Sequence, residues 1–171
     1  MTFAATHYIL LLTAALHSGV ALAERADRDK PMNIEADALR YDDAKQTSVF
    51  TGKVVLTKGT MQIRGAQMDV RQDPNGNQFG VIKAEPGKLA FFRQKRDTAA
   101  GTPDEFIEGE AELIEYDSKV DTVKFLGRSV IRRYVGSRVN DEITGAVIVF
   151  DNITSTLNVD GGPATNSSDP R

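Results

Sequence analysis

Apolar and polar residues alternate along most of the chain from Pro31 onward. Ile34, Ala36 and Ala38 alternate with Glu35 and Asp37; Phe50, Gly52, Val54 and Leu56 alternate with Thr51, Lys53, Val55 and Thr57; Ile107, Gly109, Ala111 and Leu113 alternate with Glu108, Glu110 and Glu112. A period of two puts successive side chains on opposite faces of an extended backbone, the pattern of a half-buried strand. Turn residues separate the runs at short intervals: Asp42-Asp43, Lys58-Gly59, Asp73 to Asn77, Glu85 to Gly87, Asp117-Ser118 and Asp151-Asn152. No window from Glu24 onward carries a helical stripe with a cap and a stop. The pattern predicts an all-β chain, with a mid-chain loop over Gln94 to Phe106, where charge mixes with Ala, Gly, Thr and Pro.

The alternation also repeats itself. Tyr41 to Leu56 (YDDAKQTSVFTGKVVL) aligns without gaps on Tyr116 to Ile131 (YDSKVDTVKFLGRSVI), so that Tyr, Asp, Thr, Phe and Gly coincide. Ile63 to Val70 then answers Ile143 to Phe150 after a five-residue insertion. A strand group used twice points to an elongated architecture in which each unit covers the apolar face of its neighbour. Gly52 and Gly127 fall at equivalent mid-strand points, where glycine marks a bulge, a close backbone approach or room left for a ligand.

The first 23 residues differ from the rest. They contain no Lys, Arg, Asp or Glu, carry an apolar run from Tyr8 to Leu16 and end in Ala21-Leu22-Ala23. This reads as a secretory signal cleaved after Ala23, with an uncleaved anchor as the alternative because the leading residues lack Lys and Arg. Residues 24–30 then form a linker, 31–159 the β-domain, and 160–171, without core-forming residues, a disordered tail.

Cleavage removes both histidines, His7 and His17, and the chain has no cysteine. A mature chain without either residue type has no Ser-His-Asp or Cys-His catalysis, no usual zinc set and no disulfide. No cofactor or metal is expected. The net charge of −3 among 171 residues argues against nucleic acid held by counterion release.

Pro31 to Asp42 (PMNIEADALRYD), Phe50 to Val70 (FTGKVVLTKGTMQIRGAQMDV), Tyr116 to Gly127 (YDSKVDTVKFLG) and Ile143 to Asp151 (ITGAVIVFD) together resemble the OstA-like lipopolysaccharide-transport family of Gram-negative bacteria. A cleavable signal followed almost at once by the β-domain, with no long transmembrane helix and no barrel-length extension, is similar to the family's soluble periplasmic bridge component. The resemblance implies a β-jellyroll of two antiparallel sheets, V-shaped in section, whose apolar inner groove takes lipid A acyl chains. It also implies head-to-tail stacking of copies through edge strands, with inner-membrane LptC-like and outer-membrane LptD-like β-jellyroll domains as partners at the two ends.

Physical chemistry supplies the reason for a groove. Exposing an acyl chain to water costs about 0.8 kcal/mol per methylene, hence roughly 10 kcal/mol for a twelve-carbon chain. The expected lining is Met32, Ile34, Phe50, Val54, Leu56, Met61, Ile63, Phe91 or Phe92 (Phe92 is preferred), Leu113, Phe125, Ile143 and Val147, and for any one of these a core role is the competing explanation. Arg93, Lys95, Arg96, Arg132, Arg133 and Arg138 either meet head-group phosphates or form a solvated surface. Glu108, Glu110 and Glu112 read as the wet face of their strand. Two other classes compete: a scaffold module that stacks through its edges and binds no lipid, and a two-carboxylate glycosidase, for which the 24 acidic residues include no pair placed in an apolar cleft by the pattern.

Overall fold

The computed structural model describes residues 27–161. The expected signal at 1–23 and nearly all of the expected tail lie outside the described residues. The elements are eleven strands: β1 (Met32–Glu35), β2 (Ala38–Asp42), β3 (Thr47–Lys58), β4 (Met61–Gln72), β5 (Gln78–Lys83), β6 (Ala90–Lys95), β7 (Glu105–Ala111), β8 (Leu113–Asp117), β9 (Thr122–Val135), β10 (Arg138–Asp151) and β11 (Thr156–Asp160). The turns fall where the turn residues stand, with one more at Gly136, whose φ is +61°. Asp73 organises the β4–β5 turn by accepting from the backbone N–H groups of Asn75 and Asn77 and from the Asn77 amide. That amide holds the Asp73 carboxyl below the usual carboxylate range.

Four long strands bend, and each serves two layers. The first half of β3 pairs with β2 and its second half with β1. The later half of β4 pairs with β5 and its earlier half with β6. Likewise, β9 pairs first with β8 and then with β7, while β10 continues alongside β9 and ends against β11. One layer therefore runs β2-β3-β4-β5-β8-β9-β10-β11 and the other β1-β3-β4-β6-β7-β9-β10, antiparallel throughout. This is the two-sheet β-jellyroll that the resemblance implies.

Bulges make the bends. The β3–β4 register slips between Thr51 and Val54, where Gly52 and Lys53 have φ of +79° and +46°. The β9–β10 register slips at Gly127 and Arg128, with φ of +75° and +47°. An extra residue on one strand kinks it and raises its twist, and glycine takes the left-handed conformation without the cost a Cβ imposes. Each bulge is also a close approach: a Cβ on Gly52 would lie 2.5 Å from the Asp37 carboxylate, and one on Gly127 2.5 Å from that of Glu112.

The core lies between the layers. Met68, Ile82, Ile114, Tyr116, Val123, Phe125, Ile148 and Phe150 come from the first layer and Leu56, Met61, Ile63, Ala90, Phe92, Ile107 and Ile131 from the second, all buried. Phe92 sits edge-on to Phe125 and Phe150, with centroids 5.5 and 6.3 Å apart, so three aromatic rings tie the layers together.

Three expectations change. The run Ile34 to Ala38 breaks at Ala36-Asp37, because the Asp37 N–H donates to the Gly52 carbonyl and leaves β2 as a separate strand. The mid-chain loop shrinks to 96–104, since Gln94, Lys95 and Phe106 pair between β6 and β7 and Glu105 pairs with Val135 of β9. Leu113 and Val147 lie on the outer face, in one row with Lys83 and Leu126, while Ile114 and Ile148 point inward. Glu112 is the reason for Leu113: its N–H bonds the Gly127 carbonyl and its carbonyl takes the Ala84 N–H, so the chain changes face between β7 and β8. The register slip between Gly145 and Val147 does the same on β10.

Gly109 lies beneath the Phe125 ring, where a Cβ would come within 2.3 Å of a ring carbon. Gly109→Ala is expected to destabilise the chain by about 1–3 kcal/mol through overpacking, read as a lower denaturation midpoint; an unchanged midpoint would mean that the aromatic cluster is loosely packed.

Candidate functional site

Of the twelve expected lining residues, Val54, Leu56, Met61, Ile63, Phe92 and Phe125 are at most 2% exposed and form closed core. Phe92 is the inward member of its pair; Phe91 points out, with the Arg64 guanidinium 4.5 Å from its ring centroid. Met32, Ile34, Phe50 and Ile143 are half-buried and pack against the core from the open edges of the layers. Met32, Ile34 and Phe50 share one cavity of about 240 Å³ with Tyr41, Val70 and the polar Gln46, Ser48, Gln72 and Gln78, at the amino-terminal edge beside β1 and β2. The apolar interior is thus sealed along its middle and opens beside β1 and β2. The alternation gave no reason to choose Tyr41 or Val70, although Tyr41 stands in the repeat opposite Tyr116.

A polar group of residues packs at the far end of the β3–β4 hairpin. Lys58, 8% exposed, donates to the Tyr116 hydroxyl at 2.9 Å; that hydroxyl reaches Asp121 at 3.4 Å, and Asn152 donates to the same carboxylate at 3.1 Å. Burial, followed by the Asp121 charge, pushes the Tyr116 hydroxyl up, so it stays protonated and can donate. Asp27, within the expected linker, is buried too: its carboxylate accepts from the Thr60 N–H at 2.8 Å and from the Thr60 hydroxyl. These contacts span up to 58 residues of chain, and no local pattern announces them.

Of the six basic residues expected either to meet phosphates or to form a solvated surface, four have carboxylate partners, and Arg96 and Arg138 form no ion pair with a carboxylate among the described residues. Arg93 pairs with Glu108, Lys95 with Asp104, Arg132 with Glu110 and Glu142, and Arg133 with Asp141 and Glu105. Glu108 faces Arg93 and Arg132 across the strands, and Arg132 faces Glu142, so the row alternates in sign over β6, β7, β9 and β10. Such cross-strand pairing stabilises the outer face and occupies the charges that a phosphate would need. Glu112 likewise pairs with Arg128 at 2.6 Å. Among the described residues no acidic or histidine cluster is placed to hold a metal.

Two antiparallel layers, an apolar interior closed along its middle and a free strand edge at either end define a β-jellyroll. Residues 33–156 match the family described as LptA/(LptD N-terminal domain) LPS transport protein, and the chain belongs to that family. It is 30% identical to the lipopolysaccharide export system protein LptA of Escherichia coli K12 over 137 residues, covering 80% of this chain and 71% of that protein. It is 39% identical to LptH of Pseudomonas aeruginosa over 84 residues, which is 49% of this chain and 47% of LptH, less than half the length of that relative. The crystal structure of LptH, described as the LptA-homologous periplasmic component of the lipopolysaccharide transport device, shares the fold with a TM-score of 0.67 at 21% identity, over 85% of this chain and 92% of that one.

The polar closure makes an ordering testable. Tyr116→Phe removes the acceptor of a buried ammonium and one donor to Asp121, at a cost of about 1–3 kcal/mol. Lys58→Met leaves the Tyr116–Asp121 contact in place and is expected to cost less. Chemical denaturation of both variants reads the order, and the reverse order would contradict the closure.

Proposed function

We propose that the protein is a periplasmic, non-enzymatic carrier of lipopolysaccharide. It takes lipid A acyl chains at the cavity lined by Met32, Ile34 and Phe50 and stacks head-to-tail, so that the interiors of successive copies form one track. Cleavage after Ala23 releases a chain starting at Glu24, and LptC-like and LptD-like domains receive its two ends. The single observation carrying this reading is the geometry of the amino-terminal edge: apolar inward side chains left half-exposed beside strands with a free side. Family membership and the names of the relatives supply the ligand class.

Size explains why stacking belongs to the mechanism. The cavity of about 240 Å³ is smaller than the roughly 300–1,000 Å³ of ordinary ligand pockets. An acyl chain that gains about 0.8 kcal/mol per buried methylene needs more room, which comes from the neighbouring copy or from parting of the two layers above Val54, Leu56 and Phe125. The sealed middle favours one second reading, a scaffold that stacks without lipid. Photo-crosslinking separates the two. Groups at Met32 and Phe50 are expected to capture lipopolysaccharide at several times the yield of a group at Lys124, which lies on the outer face; equal yields, or none, would contradict the groove.

A further inference from the structure

The two layers are joined differently along their two sides. On one side β3, β4, β9 and β10 pass from layer to layer, so the chain itself holds them together. On the other side the strands end, and the first-layer ends at Tyr116, Asp121 and Asn152 face the second-layer ends at Lys58 and Gln94 across a mouth. Many of the bonds there stay within one layer. Asp27 accepts from Thr60 and, at 3.4 Å, from the Gln94 amide, all on the second-layer side, while Tyr116 and Asn152 meet Asp121 on the first. The bond from the Lys58 ammonium to the Tyr116 hydroxyl crosses the mouth and clasps it shut.

This clasp is polar and incompletely satisfied. Lys58 is buried, and its ammonium donates to a neutral phenol. Two amide oxygens, Gln94 Oε1 on one lip and Asn152 Oδ1 on the other, are buried without a hydrogen-bond partner. Both amides are turned that way because their N–H groups donate to Asp27 and Asp121. The space that Asp27, Arg28, Lys58, Gln94, Tyr116 and Asn152 enclose is too small for a water molecule, so no buried water meets those oxygens. An unpaired buried acceptor costs free energy, and an incompletely compensated buried charge costs more. Parting the lips hydrates the ammonium and both oxygens at once. Apolar contact from Met61 inward opposes the parting, and an apolar chain entering between the layers restores that contact.

We infer that the clasp is a gate on the side of the jellyroll: the layers part at Lys58 and Tyr116, the bulged bends act as the hinge, and acyl chains enter the closed middle sideways. The inference rests on the carrier reading above and specifies where the ligand enters. The cavity of about 240 Å³ is the stretch of the same mouth that stays open, since Met32 of the second layer shares it with Gln46, Gln72 and Gln78 at first-layer strand ends. The clasp shuts the stretch beside it. Sideways entry suits an amphiphile, whose chains pass between the layers while its head group stays in water; end-on entry would draw polar groups along the apolar interior, at the cost of their hydration. Parted layers also supply the room that the edge cavity lacks, because the apolar faces around Phe92 and Phe150 then cover the chain in place of water.

The natural chain has no cysteine, so two introduced thiols can lock the gate. In the full mature chain, Lys58→Cys and Tyr116→Cys are joined in denaturant by a bis-maleimide that spans the roughly 10 Å between packed layers, and the chain is refolded. Its twin carries the same two thiols, each capped singly. The bridged chain is expected to bind purified lipopolysaccharide at least tenfold more weakly than the twin. Tyr116→Phe acts in the opposite sense, because it leaves the buried ammonium without its acceptor and so favours the open mouth. It is expected to bind at least threefold tighter than the parent although it is less stable, since apparent affinity follows the open fraction; a merely structural role predicts equal or weaker binding. Spin labels at Thr57→Cys and Lys119→Cys, one on each lip, are expected to move apart by several ångströms when lipopolysaccharide is added. Labels at Ala44→Cys and Lys119→Cys, both on the first layer, keep their distance. The labelled chains leave the clasp intact and decide the matter if the bridged chain does not refold. Saturable binding with equal affinity in the bridged and capped chains, with no tightening in Tyr116→Phe, or with an unchanged distance from Thr57 to Lys119 overturns the gate and leaves the carrier reading standing. A parent chain that does not bind lipopolysaccharide overturns the carrier reading and the gate with it.

Discussion

At Gly52-Lys53 and again at Gly127-Arg128 a strand leaves one layer and enters the other, and every larger feature of the chain depends on those two bends. Each is held by a backbone N–H from the link between the two short strands that precede it in the same unit, Asp37 on Gly52 and Glu112 on Gly127, both at 2.9 Å. A straight strand in either place would carry its inward residues past the edge of the core. With the bends, β3 and β9 each contribute to both walls of the interior, and the walls are covalently continuous. That continuity matters in a chain with no disulfide and no metal cluster among its described residues, because the two layers are otherwise tied mainly by apolar contact, with Phe92, Phe125 and Phe150 at its centre.

The same arrangement separates what is closed from what is open. Along the middle, where the second unit covers the first, side chains such as Leu56, Ile63 and Phe125 are fully buried. At the amino-terminal edge no preceding unit stands among the described residues, and Met32, Ile34 and Phe50 are only half covered. Opening is therefore a consequence of ending a repeat, as in other repeat architectures whose terminal units lack a neighbour.

Much of this was legible in the residues. The alternation gave the strands, the paired Tyr41 and Tyr116 segments gave the repeat, and the two mid-strand glycines marked the bulges. Facing was less legible. Leu113 and Val147 continue an apolar alternation that Glu112 and the Gly145–Val147 slip interrupt, and a slip depends on the partner strand rather than on local sequence. For Phe91 and Phe92 the choice comes from β4, where Arg64 lies outside and Ile63 inside. Glu108, Glu110 and Glu112 look like a solvated row, yet each meets an arginine from another strand. In the Lys58–Tyr116–Asp121 closure, Lys58 stands 58 residues from Tyr116, too far for any window to connect.

The account turns on whether the edge cavity takes lipid. Calorimetric titration of the mature chain with purified lipopolysaccharide, compared with the Phe50→Glu variant, measures this most directly. Saturable binding with a negative heat-capacity change, the mark of apolar burial, and at least a tenfold loss of affinity in the variant, titrated well below its own unfolding midpoint, are predicted. Absence of saturable binding, or binding that a charge at Phe50 leaves untouched, would contradict it.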